Sequence, residues 1–374
     1  SHHGAVNMAQ GFPDFDGPID LIEAAVAALR AGHNQYARSQ GHPALVQAVA
    51  GHARRHYSLT YDPMTEVAVF GGCTEAIAAT LLGLLDPGDE VIYFEPYYDS
   101  YPACVALAGG VARVCTLRFP DFAVDLEALE RLFGPRSRVL LLNTPHNPTG
   151  KVFSRSELEA IGALCARRGV VIVTDEVYEH LTYDGAEHVS MATLPGMFER
   201  TLRLSSAGKT FSLTGWKVGW ATGPAPLVAA AQAAHQFLTF CTATPLQVAV
   251  AHGLDTLGDD FYRSLRADFT ARRDFLARAL TDVGFDVSMP AGTYFILAAF
   301  GDLFAGDDQA FARHLVRAHG VAAIPPSVFY SAAPDEGRGL LRFAFCKRLE
   351  TLQAAALRLA GLRAASGAGD EVGP

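Results

Sequence analysis

The sequence predicts an α/β protein: a large domain built on a mostly parallel sheet flanked by helices, followed by a smaller α+β domain. Three observations carry that reading. From about residue 20 to about residue 250, short apolar runs alternate with longer stretches of helical period, the pattern of βαβ units. Beyond about residue 255 the texture changes: Leu265, Phe269, Leu276, Leu280 and Val283 suit one long amphipathic helix, after which strands near 292–298 and 340–346 alternate with helices. With 374 residues, 50% of them apolar and 18% charged, the chain has the composition of a globular protein with room for about two domains.

Taken in order, Leu21, Ile22, Ala25, Val26 and Leu29 keep helical spacing until Gly32 closes the segment. Residues 67–70 read as a strand, and Gly71-Gly72 turns it into a helix over about 74–85. Asp86-Pro87-Gly88-Asp89 supplies a turn before the strand 91–94. Another strand, 139–142, runs into NTPHNPTG, whose prolines and glycine forbid regular structure. Ser154-Arg155-Ser156-Glu157 is a capping box opening a helix that Gly169 ends before the apolar strand 170–174. The end, AASGAGDEVGP at 364–374, is small and polar, and a disordered tail is expected there.

A formal charge of −9 and a pI near 5.8, with no basic stripe, argue against a nucleic-acid partner. No run of about 18 uncharged apolar residues and no basic-then-apolar leader is present, so no membrane partner is expected. The six cysteines are scattered, with no CxxC and no cysteine-histidine spacing of a zinc site. The expectation is a cytoplasmic protein with reduced core thiols and no metal.

The run SSAGKTFSLTGWKVGW at 205–220 carries two of the chain's four lysines, Lys209 and Lys217; the others are Lys151 and Lys347. A chain that otherwise takes its positive charge from arginine has a use for an amine here, because arginine cannot form a Schiff base. A solvated surface loop is the plain alternative. Gly208-Lys209-Thr210 is not the end of a P-loop, since that frame places Arg203 where a glycine is required.

Three polar groups follow the ends of apolar strands: Asn147 after 139–142, Asp175 after 170–174, and Lys209 after the run around 202–204. Parallel neighbouring strands would bring them to one crevice. An amine, a carboxylate and an amide together suit pyridoxal phosphate: the lysine holds the aldehyde, the aspartate keeps the pyridine nitrogen protonated, and amide or phenol donors, such as Tyr178, reach the ring hydroxyl. Asp175 as a helix N-cap and Tyr178 as a core aromatic remain open. Gly72-Cys73-Thr74, after the strand 67–70, offers a helix N-terminus for a phosphate, to which Ser206 and Lys217 can add a hydroxyl and a charge.

The chain resembles a fold-type I pyridoxal-phosphate aminotransferase of class I/II, most closely the branch containing kynurenine, glutamine-transaminase-K-like and methionine aminotransferases. The matching motifs are QGFPDF at 10–15, NQYAR at 34–38, GGCTEA at 71–76, EPYYDSY at 95–101, NTPHNPTGKVFS at 143–154, TDEVYEHLTYDG at 174–185, SAGKTFSLTGWKVGW at 206–220 and LRFAFCK at 341–347. The resemblance implies a seven-stranded sheet and a division into an N-terminal segment, 1–32, packing with the small domain; a large cofactor domain, 33–255; and a small domain, 256–363. It implies that Lys209 is the Schiff-base lysine and proton carrier, that Asp175 pairs with the pyridinium, and that Asn147 and Tyr178 bind the ring hydroxyl. Tyr98 would stack on the ring, while Gly72, Cys73, Thr74, Ser206 and Lys217 would hold the phosphate. Tyr36 would come from the other subunit of a homodimer.

Arg342 is similar to the arginine that clamps the substrate α-carboxylate, with the backbone of Gly11 beside it. Flanked by Leu341, Phe343 and Phe345, it needs an anionic partner on physical grounds too, and a structural ion pair is the other way to supply one. Tyr101, Phe240 and Phe329 are expected to line the substrate pocket. His146 and Phe240-Cys241-Thr242 depart from the pattern of relatives and are expected to alter it. The implied reaction is ping-pong transfer between a large neutral or aromatic amino acid and a 2-oxo acid. The rivals are a carbon–sulfur β-lyase on the same scaffold, detected by pyruvate and ammonia release without an oxo acid, and a non-catalytic cofactor-binding regulator, detected by no spectral response to any amino acid. No GxGxxG follows a strand, which disfavours a dinucleotide.

Overall fold

The apolar runs read as strands become sheet interior because amphipathic helices cover them. The computed structural model describes residues 4–362. It begins with β1 (Val6–Asn7), α1 (Ile19–Arg30) and α2 (Pro43–Tyr57), where His42 caps α2 by accepting from the Ala44 N–H and Pro43 fills the first turn. β2 (Val67–Phe70) is buried along its length and passes through Gly71-Gly72 into α3 (Cys73–Leu84). Gly72 has φ 86°, a left-handed conformation that a side chain resists, and this allows the abrupt change from strand to helix. β3 (Glu90–Glu95), α4 (Ser100–Leu107), β4 (Val111–Thr116), α5 (Leu126–Arg131) and β5 (Ser137–Asn143) follow.

The predicted capping box forms at α6 (Arg155–Arg168): Ser154 accepts from the Glu157 N–H and the Glu157 carboxylate accepts from the Ser154 N–H. Gly169, at φ 67°, closes the helix, and β6 (Val171–Asp175) begins two residues on. β7 (Thr201–Ser206), α7 (Ala207–Thr210), β8 (Gly219–Thr222), α8 (Ala225–Leu238) and α9 (Thr244–Thr256) complete the large unit. Its seven strands run in the order β2-β8-β7-β6-β5-β3-β4. Only β8 is antiparallel to its neighbours, so the sheet is mixed but largely parallel.

α10 (Asp259–Val283) is the long helix expected from its spacing, and it buries Phe269, Leu276, Leu280 and Val283. Each such side chain contributes about 1.5–3 kcal/mol relative to exposure. Beyond it come β9 (Asp286–Ser288), β10 (Phe295–Ala299), α11 (Asp308–His314), β11 (Val321–Ala322), β12 (Leu340–Ala344) and α12 (Leu349–Leu359). β12, β10 and β9 form an antiparallel sheet in that order.

Residues 1–32 are the segment expected to pack with the small domain. β1 pairs with β11, but Leu21 of α1 is buried with Val49 of α2 and Val250 and Leu254 of α9, because its apolar stripe meets theirs. The expectation of a disordered tail over 364–374 lies outside the described residues. Among those described, no helix is long and apolar enough to cross a membrane.

Candidate active site

β5, β6 and β7 are adjacent and parallel, with Asn143 opposite Asp175 and Asp175 opposite Leu204. Their carboxyl ends therefore open on one side, and Asn147, Asp175 and Lys209 meet there. Asn143 couples two of these loops, since its Nδ2 donates to the Asp175 carbonyl at 2.8 Å and its Oδ1 accepts from the Asn147 N–H at 2.7 Å. The loops enclose a cavity of about 690 Å3. Of the expected site residues, Gly11, Gly72, Cys73, Thr74, Tyr98, Asn147, Asp175, Tyr178, Ser206, Lys209, Lys217 and Arg342 line it, as does Phe329.

Lys209 lies in the short helix α7, and its Nζ donates to the Tyr294 hydroxyl at 2.7 Å and to the Gly11 carbonyl at 3.4 Å. Burial, which disfavours the ammonium, lowers its pKa to about 8. Burial pushes the Asp175 carboxyl up from its usual value, against hydrogen bonds from Tyr101 (2.8 Å), the Val177 N–H (3.4 Å) and the Cys73 thiol (3.6 Å). A carboxylate so desolvated gains from a cationic N–H on its open side.

Arg342 on β12 is 8% exposed, and its guanidinium donates to Asn147 Oδ1 at 3.1 Å and to the Ala9 carbonyl at 3.2 Å, while Nε finds no partner. It lies 4.2 Å from the Phe295 ring centre and 5.1 Å from that of Phe329. No Asp or Glu pairs with it among the described residues, so the structural ion pair is not what holds it. Burial lowers its pKa to about 10, outweighing the opposing influence of Tyr178, Tyr294 and Asp99.

At the other end of the cavity, the first turn of α3 presents free backbone N–H groups beside Lys217. A Cβ at Gly72 would come within 3.2 Å of the Lys217 ammonium, so glycine keeps the space open where two positive ends converge. Thr74 and Tyr98 approach through their hydroxyls at 3.4 Å.

Three of the singled-out residues do not line this chain's cavity. Tyr101 does not line the cavity; it is buried behind Asp175, where its hydroxyl donates to Oδ2. Phe240 does not reach this chain's cavity either: it packs edge-on against Tyr36 at 5.3 Å, and both rings are exposed, Tyr36 by 82%. His146 faces the loop interior, bonding Thr149 Oγ1 at 2.8 Å, and burial holds it neutral with a pKa near 3. Tyr294 and Asn143 were missed, because nothing local in AGTYFIL or LLLNTP marks a partner that only folding brings close.

The family model described as "Aminotransferase class I and II" matches residues 4–359. A probable N-succinyldiaminopimelate aminotransferase from Mycobacterium tuberculosis is 48% identical over 96% of this chain and 92% of its own length. A methionine aminotransferase from Escherichia coli is 40% identical over 96% of this chain and 92% of its own length. A solved structure of the N-succinyldiaminopimelate aminotransferase from Mycobacterium tuberculosis superposes with a TM-score of 0.93 at 48% identity, covering 96% of this chain and 94% of that one. Pyridoxal phosphate is the cofactor of this fold, and the donor set fits it: an amine of lowered pKa, a buried carboxylate and a cationic helix N-terminus border one cavity. By sequence, fold and cavity alike, the chain is an aminotransferase and belongs to the class I and II family.

Proposed function

We propose that the chain moves the α-amino group of a large neutral L-amino acid, apolar, sulfur-containing or aromatic, to a 2-oxo acid in two half-reactions. Arg342 carries this reading: a buried guanidinium without a carboxylate partner borders the cavity that holds Lys209, and a substrate α-carboxylate completes its surroundings. Bound pyridoxal phosphate supplies an aldehyde for amino groups and a ring that accepts electrons. Lys209 holds that aldehyde covalently and, once displaced, takes the proton from the substrate α-carbon. Burial readies it, because an amine titrating near 8 is a free base in far larger fraction at neutral pH than an ordinary lysine.

Asp175, oriented by the Tyr101 hydroxyl, would accept the ring N–H of the bound cofactor. Asn147 Oδ1 is engaged by Arg342, which leaves its Nδ2 to donate, with Tyr178, to the ring oxygen. Of the residues lining the cavity, Tyr98 would border the ring, and Gly72, Cys73, Thr74, Ser206 and Lys217 would hold the phosphate. Tyr36 would reach the site of a second copy in a homodimer, a reading supported by its exposure and that of Phe240 packed against it. Mixing inactive K209A chains with inactive Y36A chains tests this: shared sites regain activity, and separate sites do not.

The substrate side is bordered by Phe12, Ile324, Pro325, Val328 and Phe329, which supports an uncharged side chain. The 48% identity to a probable N-succinyldiaminopimelate aminotransferase favours that compound as the second reading. Holoprotein is to be given methionine, glutamine, phenylalanine, kynurenine and N-succinyldiaminopimelate separately, with one fixed 2-oxo acid. A kcat/KM at least about tenfold higher for one of the first four is expected, and the reverse ranking replaces the first reading with the second.

A further inference from the structure

Outside the lining of the cofactor cavity, three imidazoles converge. His52 and His56 stand one turn apart on α2, and His180 comes from the segment after β6, 128 residues from His52. The spacing of four residues puts the first two on one helix face. One ring nitrogen from each of the three falls within 4.8 Å of the others. The ring centres form a nearly equilateral triangle, with sides of 4.5, 5.0 and 4.9 Å. Three imidazoles bound tetrahedrally at zinc–nitrogen distances of about 2.0–2.1 Å place their ring centres about 5 Å apart.

The geometry points to a zinc-class divalent metal site formed by His52, His56 and His180, with water as the fourth ligand. Nitrogen donors with no carboxylate among them select zinc-like ions over magnesium or calcium. His52 and His180 are buried, whereas His56 is half-exposed and gives an ion both an entry path and an open position. His52 and His180 now meet through Nε2 atoms at 2.9 Å, and His52 Nδ1 is buried without a partner, so the cluster is not satisfied by its own hydrogen bonds. Burial also holds all three rings in the neutral form that ligates metal. Glu179 beside them supplies negative potential, partly spent on Arg203, Tyr57 and Ser205. Arg55 and Arg203 oppose a cation, and the two glutamates 176 and 179 offset Arg203. The ion would tie α2 to the segment that also carries Tyr178. The sequence offered no cysteine-histidine spacing, and HARRH became informative only when His180 closed the triangle.

The test uses chelator-treated holoprotein in which His2 and His3 are replaced by alanine, so that neither can bind the added ion. Cobalt(II) titration is expected to give the visible spectrum of a tetrahedral site, saturating at one ion per chain and displaced by zinc. In the same background H56Q, the half-exposed ligand and the one most tolerant of change, should weaken zinc binding at least about tenfold while keeping transamination in metal-free buffer. Zinc should raise the Tm of the parent and leave that of H56Q unchanged. No tetrahedral cobalt spectrum, or equal zinc affinity with and without His56, overturns the site. Neither result bears on the aminotransferase activity.

Discussion

Three arginines are buried among the described residues, and the contrast between the surroundings of two of them, Arg203 and Arg342, separates architecture from binding. Arg203 on β7, 1% exposed, is gripped by Glu176 at 2.6 Å and by Glu179, while His188 and Tyr57 bond the same two oxygens and Ser190 and Ser205 bond the other oxygen of each carboxylate. Arg342 has only neutral acceptors. Burial pulls both pKa values down, but Glu179 and Glu176 more than reverse it for Arg203, whereas Arg342 ends near 10. A buried cation whose anion is built in is part of the scaffold. One whose anion is missing waits for a ligand.

The largest effect expected from this contrast is on folding. R203M leaves Glu176 and Glu179 as uncompensated buried charges and should cost about 3–5 kcal/mol, read as a fall in denaturation midpoint or loss of expression. R342Q removes a cation with no anion to strand, so the midpoint should hold or rise, while kcat/KM falls roughly a hundredfold, about 3 kcal/mol of lost carboxylate binding. If instead R342Q unfolds the chain and R203M only slows it, the assignment of the two arginines is inverted.

Lys209 belongs to the unpaired side as well. Its pKa is lowered from 10.5 to about 8, so the free amine grows as pH rises through 8, and cofactor uptake by apoprotein should accelerate about tenfold from pH 7 to 9 and then level. A rise that continues toward 10.5 would show an amine in contact with water. The smallest effect sharpens the corrected place of Tyr101. Y101F removes a donor that favours the Asp175 carboxylate, so activity should drop about fivefold, near 1 kcal/mol, and more on the acid side. A change confined to relative KM values among substrates would return Tyr101 to the pocket wall.

How far the site was legible follows from what each residue needs. Gly71-Gly72 before α3, the Ser154–Glu157 cap and the polar residues past β5, β6 and β7 are local signals, and the structure places them as read. Tyr98 and Tyr101, both expected at the cavity from one motif, part in the fold, because the start of α4 turns one ring to the cavity and the other to Asp175. Tyr294 and Asn143 gave no signal at all, since an apolar strand and a strand end look alike with or without a functional partner.

The sequence by itself determined the local conformations, the alternation of strand and helix, and the chemical inventory of amine, carboxylate, amide and guanidinium. These depend on neighbours a few positions away. Tertiary structure decided which members of that inventory share a cavity, because the deciding contacts join distant chain: Asp175 to Tyr101 across 74 residues, Lys209 to Tyr294 across 85, and Arg342 to Asn147 across 195. It also decided that Arg203 finds its anions and Arg342 does not, a difference of surroundings that two arginines on apolar strands do not carry in their sequence.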